Sequence, residues 1–233
     1  PSLKLQNSAE HFELLINYYY LTVRSPRRGE TLLLKMNTLK LFNKKKHYQL
    51  CHQVILCYKW INKVKSIEYF LYIIMPKQLK LQADAKCFNF LLNTTTNNVK
   101  KATLIFRKKM PQYNVLPDNW CYNSLISIYG QAYEIKLARD IFDELYQHKI
   151  IKVDDVSFST MINAYKQVKD INGAEEIFQL ALDNNKASLS SYNTLLNTYY
   201  KCNDDDVLSP AIDLYQNMKE KDISTLSTMI NIF

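Results

Sequence analysis

"YNSLI" at residues 122–126 and "YNTLL" at 192–196 are nearly one phrase, and "FNFLL" from Phe88, "FSTMI" from Phe158 and "LSTMI" from Leu226 are looser copies. Their leading residues stand 34, 36, 34 and 34 positions apart. One further step back reaches Val54, in the degenerate copy "VILCYKWI". Self-similarity at a fixed interval of this size marks a stacked-repeat chain.

Each unit reads as two helices. The first carries apolar residues at i, i+3, i+4 and i+7, as in Tyr122, Leu125, Ile126, Tyr129 and Phe158, Met161, Ile162, Tyr165. The second carries its own stripe, headed by a small residue: Ala138, Ile141, Phe142, Leu145; then Ala174, Ile177, Phe178, Ala181; then Ala211, Leu214, Tyr215, Met218. That spacing makes one apolar face per helix. A lone pair cannot bury both stripes, so neighbouring units must stack. The predicted fold is all-α, a right-handed α-solenoid of helix-turn-helix repeats. Units start near 51, 85, 119, 155, 189 and 223, the last incomplete because the sequence ends at Phe233 after one helix. Residues 1–50 read as a basic, degenerate helical segment, with "HFELLINYYYL" and "ETLLLKMNTLKLF" as one further pair joined by residues 24–29.

Composition agrees. A hydrophobic content of 47% supplies a core, while 3 glycines and 6 prolines are poor material for β-hairpins. Five cysteines without disulfide-framework spacing point to a reducing compartment. No apolar run reaches the roughly 18 residues that cross a bilayer, so no membrane partner is expected. The chain begins at Pro1, and no leader can be read from it.

The phrases lack the Trp, Leu-Gly and Tyr of the tetratricopeptide pattern. They resemble instead the pentatricopeptide repeat, whose unit reads roughly V-T-Y-N-T-L-I…A…L-F-x-x-M…P-D. "DNWCYNSLISIYGQAYEIKLARDIFDEL" at 118–145 and "DDVSFSTMINAYKQVKDINGAEEIF" at 154–178 carry the resemblance best, and "SSYNTLLNTYYK" with "PAIDLYQNMKEKDI" extends it. It covers about residues 51–233. The resemblance implies organelle RNA binding at one base per repeat. The base is read by the polar residue behind the aromatic together with the residue closing the repeat. Carried onto this chain, the base-reading pairs are Asn89 with Asp118, Asn123 with Asp154, Ser159 with Ser188, and Asn193 with Asp222. Ile55 with Asp84 departs from the pattern, and Ser227 has no visible partner. Trp120 and Val156, two residues before their aromatics, are placed to stack on bases. Three pairs end in Asp, which the resemblance associates with uridine, so the expected target is U-U-N-U. The bland alternative for the polar residues is N-capping, although Ser157 and Ser190 stand ahead of the stripe to serve as caps.

Charge is lopsided. Residues 1–118 carry 20 Lys and Arg against 6 Asp and Glu, a net +14, whereas 119–233 carry 10 against 16, a net −6. A basic half of this size is a footprint for phosphate backbone. Its densest runs, Lys44, Lys45, Lys46, then Lys100, Lys101, then Arg107, Lys108, Lys109, are the candidate phosphate-binding residues. The acidic half is expected to meet ribosomal or other ribonucleoprotein neighbours.

Catalytic signals are thin. His47, Cys51, His52 and Cys57 crowd together but match no standard zinc spacing. Asp204, Asp205 and Asp206 read as a solvated loop rather than a two-metal site. The expectation is a non-enzymatic RNA-binding adaptor without cofactor or metal. Its expected place is the mitochondrial matrix or another organelle, within the translation machinery. A free transcript-stability factor and a tetratricopeptide-like protein scaffold are the alternatives.

Overall fold

The computed structural model describes residues 8–202 and 207–232. Every regular element among them is helical: α1 (Ala9–Tyr18), α2 (Pro26–Thr38), α3 (Lys44–Trp60), α4 (Val64–Tyr69), α5 (Ala85–Leu92), α6 (Val99–Leu104), α7 (Asn119–Gln131), α8 (Ile135–Tyr146), α9 (Asp155–Val168), α10 (Ile171–Asp183), α11 (Leu189–Cys202), α12 (Leu208–Asn217) and α13 (Ile223–Ile232). This is the α-solenoid class, built of stacked helix pairs. Two compact units divide the chain, residues 1–95 with 104–116, and 96–103 with 117–233.

In the second unit the first helices α7, α9, α11 and α13 lie side by side in chain order, and each second helix packs on its own first helix and the next one. The stripes explain this. Tyr122, Leu125, Ile126, Tyr129 and Phe158, Met161, Ile162, Tyr165 are all buried, as are Ala138, Ile141, Phe142 and Leu145. Tyr192 departs from its stripe and is only half-buried. A cavity of about 520 Å³ opens beside it, while its ring meets Phe178 edge-on at 4.8 Å. The last aromatic of each first helix also ties neighbouring repeats through its hydroxyl. Tyr129 lies 2.7 Å from Thr103 Oγ1, Tyr165 accepts from Arg139 at 3.3 Å, and Tyr199 donates to Glu175 at 2.7 Å. A buried hydroxyl needs such a partner.

In the first unit α1, α3 and α5 repeat the side-by-side arrangement, with α2 and α4 behind them. The joint between α1 and α2 is shorter than residues 24–29, because Pro26 already opens α2. Helix α4 continues as a π-helical stretch, Phe70–Gln78, and α6 continues through a π-helical Ile105–Lys109 into Met110–Gln112. Pro76 lies within the first of these and Pro111 just beyond the second. A proline ring presses on the carbonyl four residues back, and a widened turn relieves that contact.

Helix ends close without glycine. Lys40, Asn62, Lys80, Asn114, Tyr133, Lys169 and Asn185 all adopt left-handed φ of 52–61°. The next residue often reaches back five positions, as Glu134 N does to Tyr129 O at 2.9 Å and Asp170 N to Tyr165 O at 3.1 Å. A β-carbon in this conformation costs roughly 1–2 kcal/mol. Lys169→Gly should therefore raise stability by about 0.5–1 kcal/mol, the looser unfolded chain taking back part of the gain. Denaturant titration checks this, and a lowered midpoint would refute it.

Candidate functional site

Where the residue closing a repeat is an aspartate, it caps the next first helix. Asp84 accepts from Cys87 N at 2.9 Å, Asp118 from Cys121 N at 3.0 Å, Asp154 from Ser157 N at 2.8 Å and Asp222 from Thr225 N at 2.7 Å. Ser157 and Ser190, expected as caps, sit inside α9 and α11 instead. Ser157 Oγ donates to Asp154 at 2.7 Å and so supports the cap rather than forming it. The cap falls four residues before the aromatic, where a side-chain oxygen reaches the first free N–H groups. Burial pushes the Asp154 carboxyl up, but bonds from Ser157, Asn119 and Asn123 hold it below the usual range. Asp154→Ala should cost about 1–2 kcal/mol, and Asp154→Asn, which still caps, only a few tenths. Equal losses in thermal melts would show that the carboxylate does more here than cap.

The same aspartates meet the polar residues behind the aromatics. Asn193 Nδ2 donates to Asp222 Oδ1 at 3.2 Å, and Asn193 Oδ1 lies 2.7 Å from the Thr225 hydroxyl. Asn123 lies close enough to Asp154 to help hold its carboxyl down, while its Oδ1 is buried without a protein donor. A carboxylate only accepts, so the Asn193 amide nitrogen must face Asp222. Ser159 and Ser188 are linked through Ser191, whose Oγ lies 3.0 Å from Ser159 Oγ and 3.4 Å from Ser188 Oγ. Asn89 lies in the first unit, where its Oδ1 accepts from Asn93 at 3.0 Å, and Asp118 caps α7 in the second. Asn123 and Ser159 are more deeply set than positions at a groove mouth, at 7% and 8% exposure. The following first helix packs against each of them. Ile55 is fully buried, and Asp84 is bound by His52 Nε2 at 3.0 Å.

Trp120 is 64% exposed and Val156 42%, at equivalent places on α7 and α9. The expected phosphate-binding residues are scattered. Lys44, Lys45 and Lys46 lie exposed on the first turn of α3, where Asn43 caps the N–H groups of Lys45 and Lys46 and Lys46 pairs with Glu13 at 3.0 Å. Lys100 and Lys101 open α6. Arg107, Lys108 and Lys109 fall in its π-helical stretch, with Lys109 placed 5.7 Å from the Tyr72 ring centroid.

The four crowded His and Cys residues do not converge. His47 pairs with Glu13 at 2.8 Å, and Cys51 and Cys57 are buried in the core. The His52, Asp84 and Cys87 ligand-type atoms lie within 4.8 Å of one another. Burial works against the Asp84 charge, but bonds from His52 and Cys87 hold its carboxyl down to about 2. Burial raises the Cys87 thiol well above its usual range, which opposes a thiolate ligand. Asp204, Asp205 and Asp206 fall outside the described residues.

Comparison with known proteins follows the same repeats. The profile of the pentatricopeptide repeat domain matches residues 140–201, and that of the single PPR repeat matches 120–150. A putative pentatricopeptide repeat-containing protein of Arabidopsis thaliana is 31% identical over 117 residues, covering 47% of this chain and 16% of that protein. A second Arabidopsis thaliana pentatricopeptide repeat-containing protein is 28% identical over 128 residues, covering 50% of this chain and 21% of its own length. The chain thus matches only about a fifth or less of those relatives. Among solved structures it is similar to the pentatricopeptide repeat protein PPR10 in complex with an 18-nt psaJ RNA element, with a TM-score of 0.63 and 17% identity over 96% of this chain and 38% of that one. PPR10 from maize gives a TM-score of 0.50 at 14% identity, over 96% of this chain and 36% of that one. These two likenesses concern the fold.

Proposed function

Because the chain belongs to the pentatricopeptide repeat family, we propose that it is a non-catalytic RNA-binding protein that reads single-stranded, U-rich sequence with its repeats. The observation that carries this reading is the bond from Asn193 to Asp222, with Asn123 and Asp154 set close together in the equivalent place two repeats earlier. Uracil presents an acceptor, a donor and an acceptor on its Watson–Crick edge, and a carboxamide can meet two of these. A freely flipping amide would serve cytosine as well. The aspartate removes that freedom, because turning the amide oxygen towards a carboxylate sets two acceptors face to face. Trp120 offers an exposed ring on which a base stacks, worth about 1–3 kcal/mol, and Val156 a smaller apolar surface at the equivalent place. The serine pair offers no oriented amide and specifies no base, which leaves the third place of U-U-N-U open.

The basic first half holds RNA phosphates without sequence preference, through Lys44–Lys46, Lys100, Lys101 and Arg107–Lys109. The acidic second half suits protein neighbours in a ribonucleoprotein, and a mitochondrial ribosome is the assembly this charge division fits best. Crosslinking the protein in its native organelle and sequencing the attached RNA tests the whole reading. A U-rich site in one ribosomal or messenger RNA is the expected outcome. Recovery of no RNA above background would reject it.

A further inference from the structure

We propose that the first unit carries a second RNA site, a pocket that takes a backbone phosphate and stacks the adjoining base. The pocket lies where the α1–α2 joint faces the end of α3 and the start of α4. It is a cavity of about 750 Å³ lined by Arg24, Ser25, Arg27, Arg28, Lys63 and Ser66, with Tyr58 and Ile61 among its apolar walls. Four basic residues thus line one concavity, with the Arg28 guanidinium 5.4 Å from the Tyr19 ring centroid. Among the described residues none of the four takes part in an ion pair. The nearest carboxylate along α2, Glu30, is engaged by the Tyr58 hydroxyl at 2.7 Å. The hydroxyl leaves Glu30 charged, but one carboxylate against four cations keeps a net repulsion, and an anion in the cavity relieves it. Guanidinium groups also match phosphate oxygens in a two-pronged geometry that a lone lysine cannot.

An aromatic platform adjoins the cations. The Trp60 and Tyr20 rings stack at 5.0 Å and 16°, and the Arg24 guanidinium lies 5.2 Å from the Trp60 centroid. Trp60 is 45% exposed. A π-helical turn, Tyr19–Val23, carries Tyr20 and ends on Arg24 in the left-handed conformation, at φ 50°. Cations beside an exposed ring pair are the combination that single-stranded RNA uses, the backbone on the charges and a base on the rings. A protein carboxylate would need only the charges. The proposal rests on the RNA-binding reading above but uses neither Asn123 with Asp154 nor Asn193 with Asp222, which lie in the second unit.

The test is a salt series of RNA binding with the full chain, comparing wild type, a triple Arg24→Gln, Arg27→Gln, Arg28→Gln variant, and Asn123→Ala with Asn193→Ala. The triple variant should weaken binding to U-rich and A-rich strands alike, by about tenfold or more at roughly 0.1 M salt, and lower the slope of log affinity on log salt by about two. If the triple variant does not fold, Arg24→Gln and Lys63→Gln singly should each lower that slope by about 0.7. Trp60→Ala should lose several-fold in affinity without changing the slope. Unchanged affinity and slope in folded arginine variants that retain a U preference would overturn the pocket and leave the base-reading pairs standing. Arginine-dependent binding without U preference would do the reverse. If inorganic phosphate raises the melting temperature of wild type alone while RNA binding ignores the arginines, the pocket belongs to free phosphate and the proposal fails.

Discussion

Gly130→Ala is expected to lower the stability of the second unit by about 1–3 kcal/mol, although in an open helix the same exchange adds close to 1 kcal/mol. The reversal comes from the neighbouring first helix. A β-carbon at Gly130 of α7 would stand 2.7 Å from Ala164 Cβ and 2.9 Å from Ala164 Cα in α9. Those atoms are backbone or fixed to it, so the two helices would have to part. Their joint also buries Leu125, Ile126, Met161 and Ile162, and a small separation loosens all of them. Gly173 marks a second such approach, where a β-carbon would fall 2.3 Å from the Tyr165 ring. Denaturant unfolding of Gly130→Ala measures the loss. A gain in midpoint would mean that the first helices pack less closely than described.

Replacing Asn123 and Asn193 together with alanine should abolish the preference for U-rich RNA while leaving the fold intact. Each asparagine accounts for roughly 1–3 kcal/mol of base discrimination, on the order of ten- to a hundredfold in affinity. Stability should change little at Asn193, which is half-buried at the end of the series. At Asn123 the substitution also removes a buried acceptor that lacks a donor, which offsets the lost support to the Asp154 carboxyl. Binding titrations and thermal melts on the same material separate the two effects. Unchanged U affinity in a folded double variant would reduce the repeated phrase to a folding signal.

The repeated phrase made most of the fold legible, because a stripe that must be buried imposes the same spacing on every repeat. Tyr122, Phe158 and their partners needed nothing beyond periodicity. The capping residues were misread, since Ser157 and Ser190 look like caps in sequence and only helix geometry shows the aspartates reaching the free N–H groups first. One residue thereby serves twice, capping the helix and orienting the asparagine amide. The role of Thr225 in holding Asn193 had no sequence signal, because it depends on two first helices lying side by side. The helix ends were equally hidden. The left-handed positions hold Lys, Asn and Tyr, while the glycines serve close helix approaches. The Arg24–Arg28 pocket has no signal in the sequence, because its charges are split between the α1–α2 joint and Lys63 rather than gathered in one dense run.

The most direct test of the central claim is a titration of the wild-type chain, at one salt concentration, with two strands of equal length. One contains U-U-N-U and the other is A-rich. Oriented Asn–Asp pairs predict at least about tenfold tighter binding of the first strand. Equal affinity for both would contradict base reading and leave only the sequence-blind hold on phosphate.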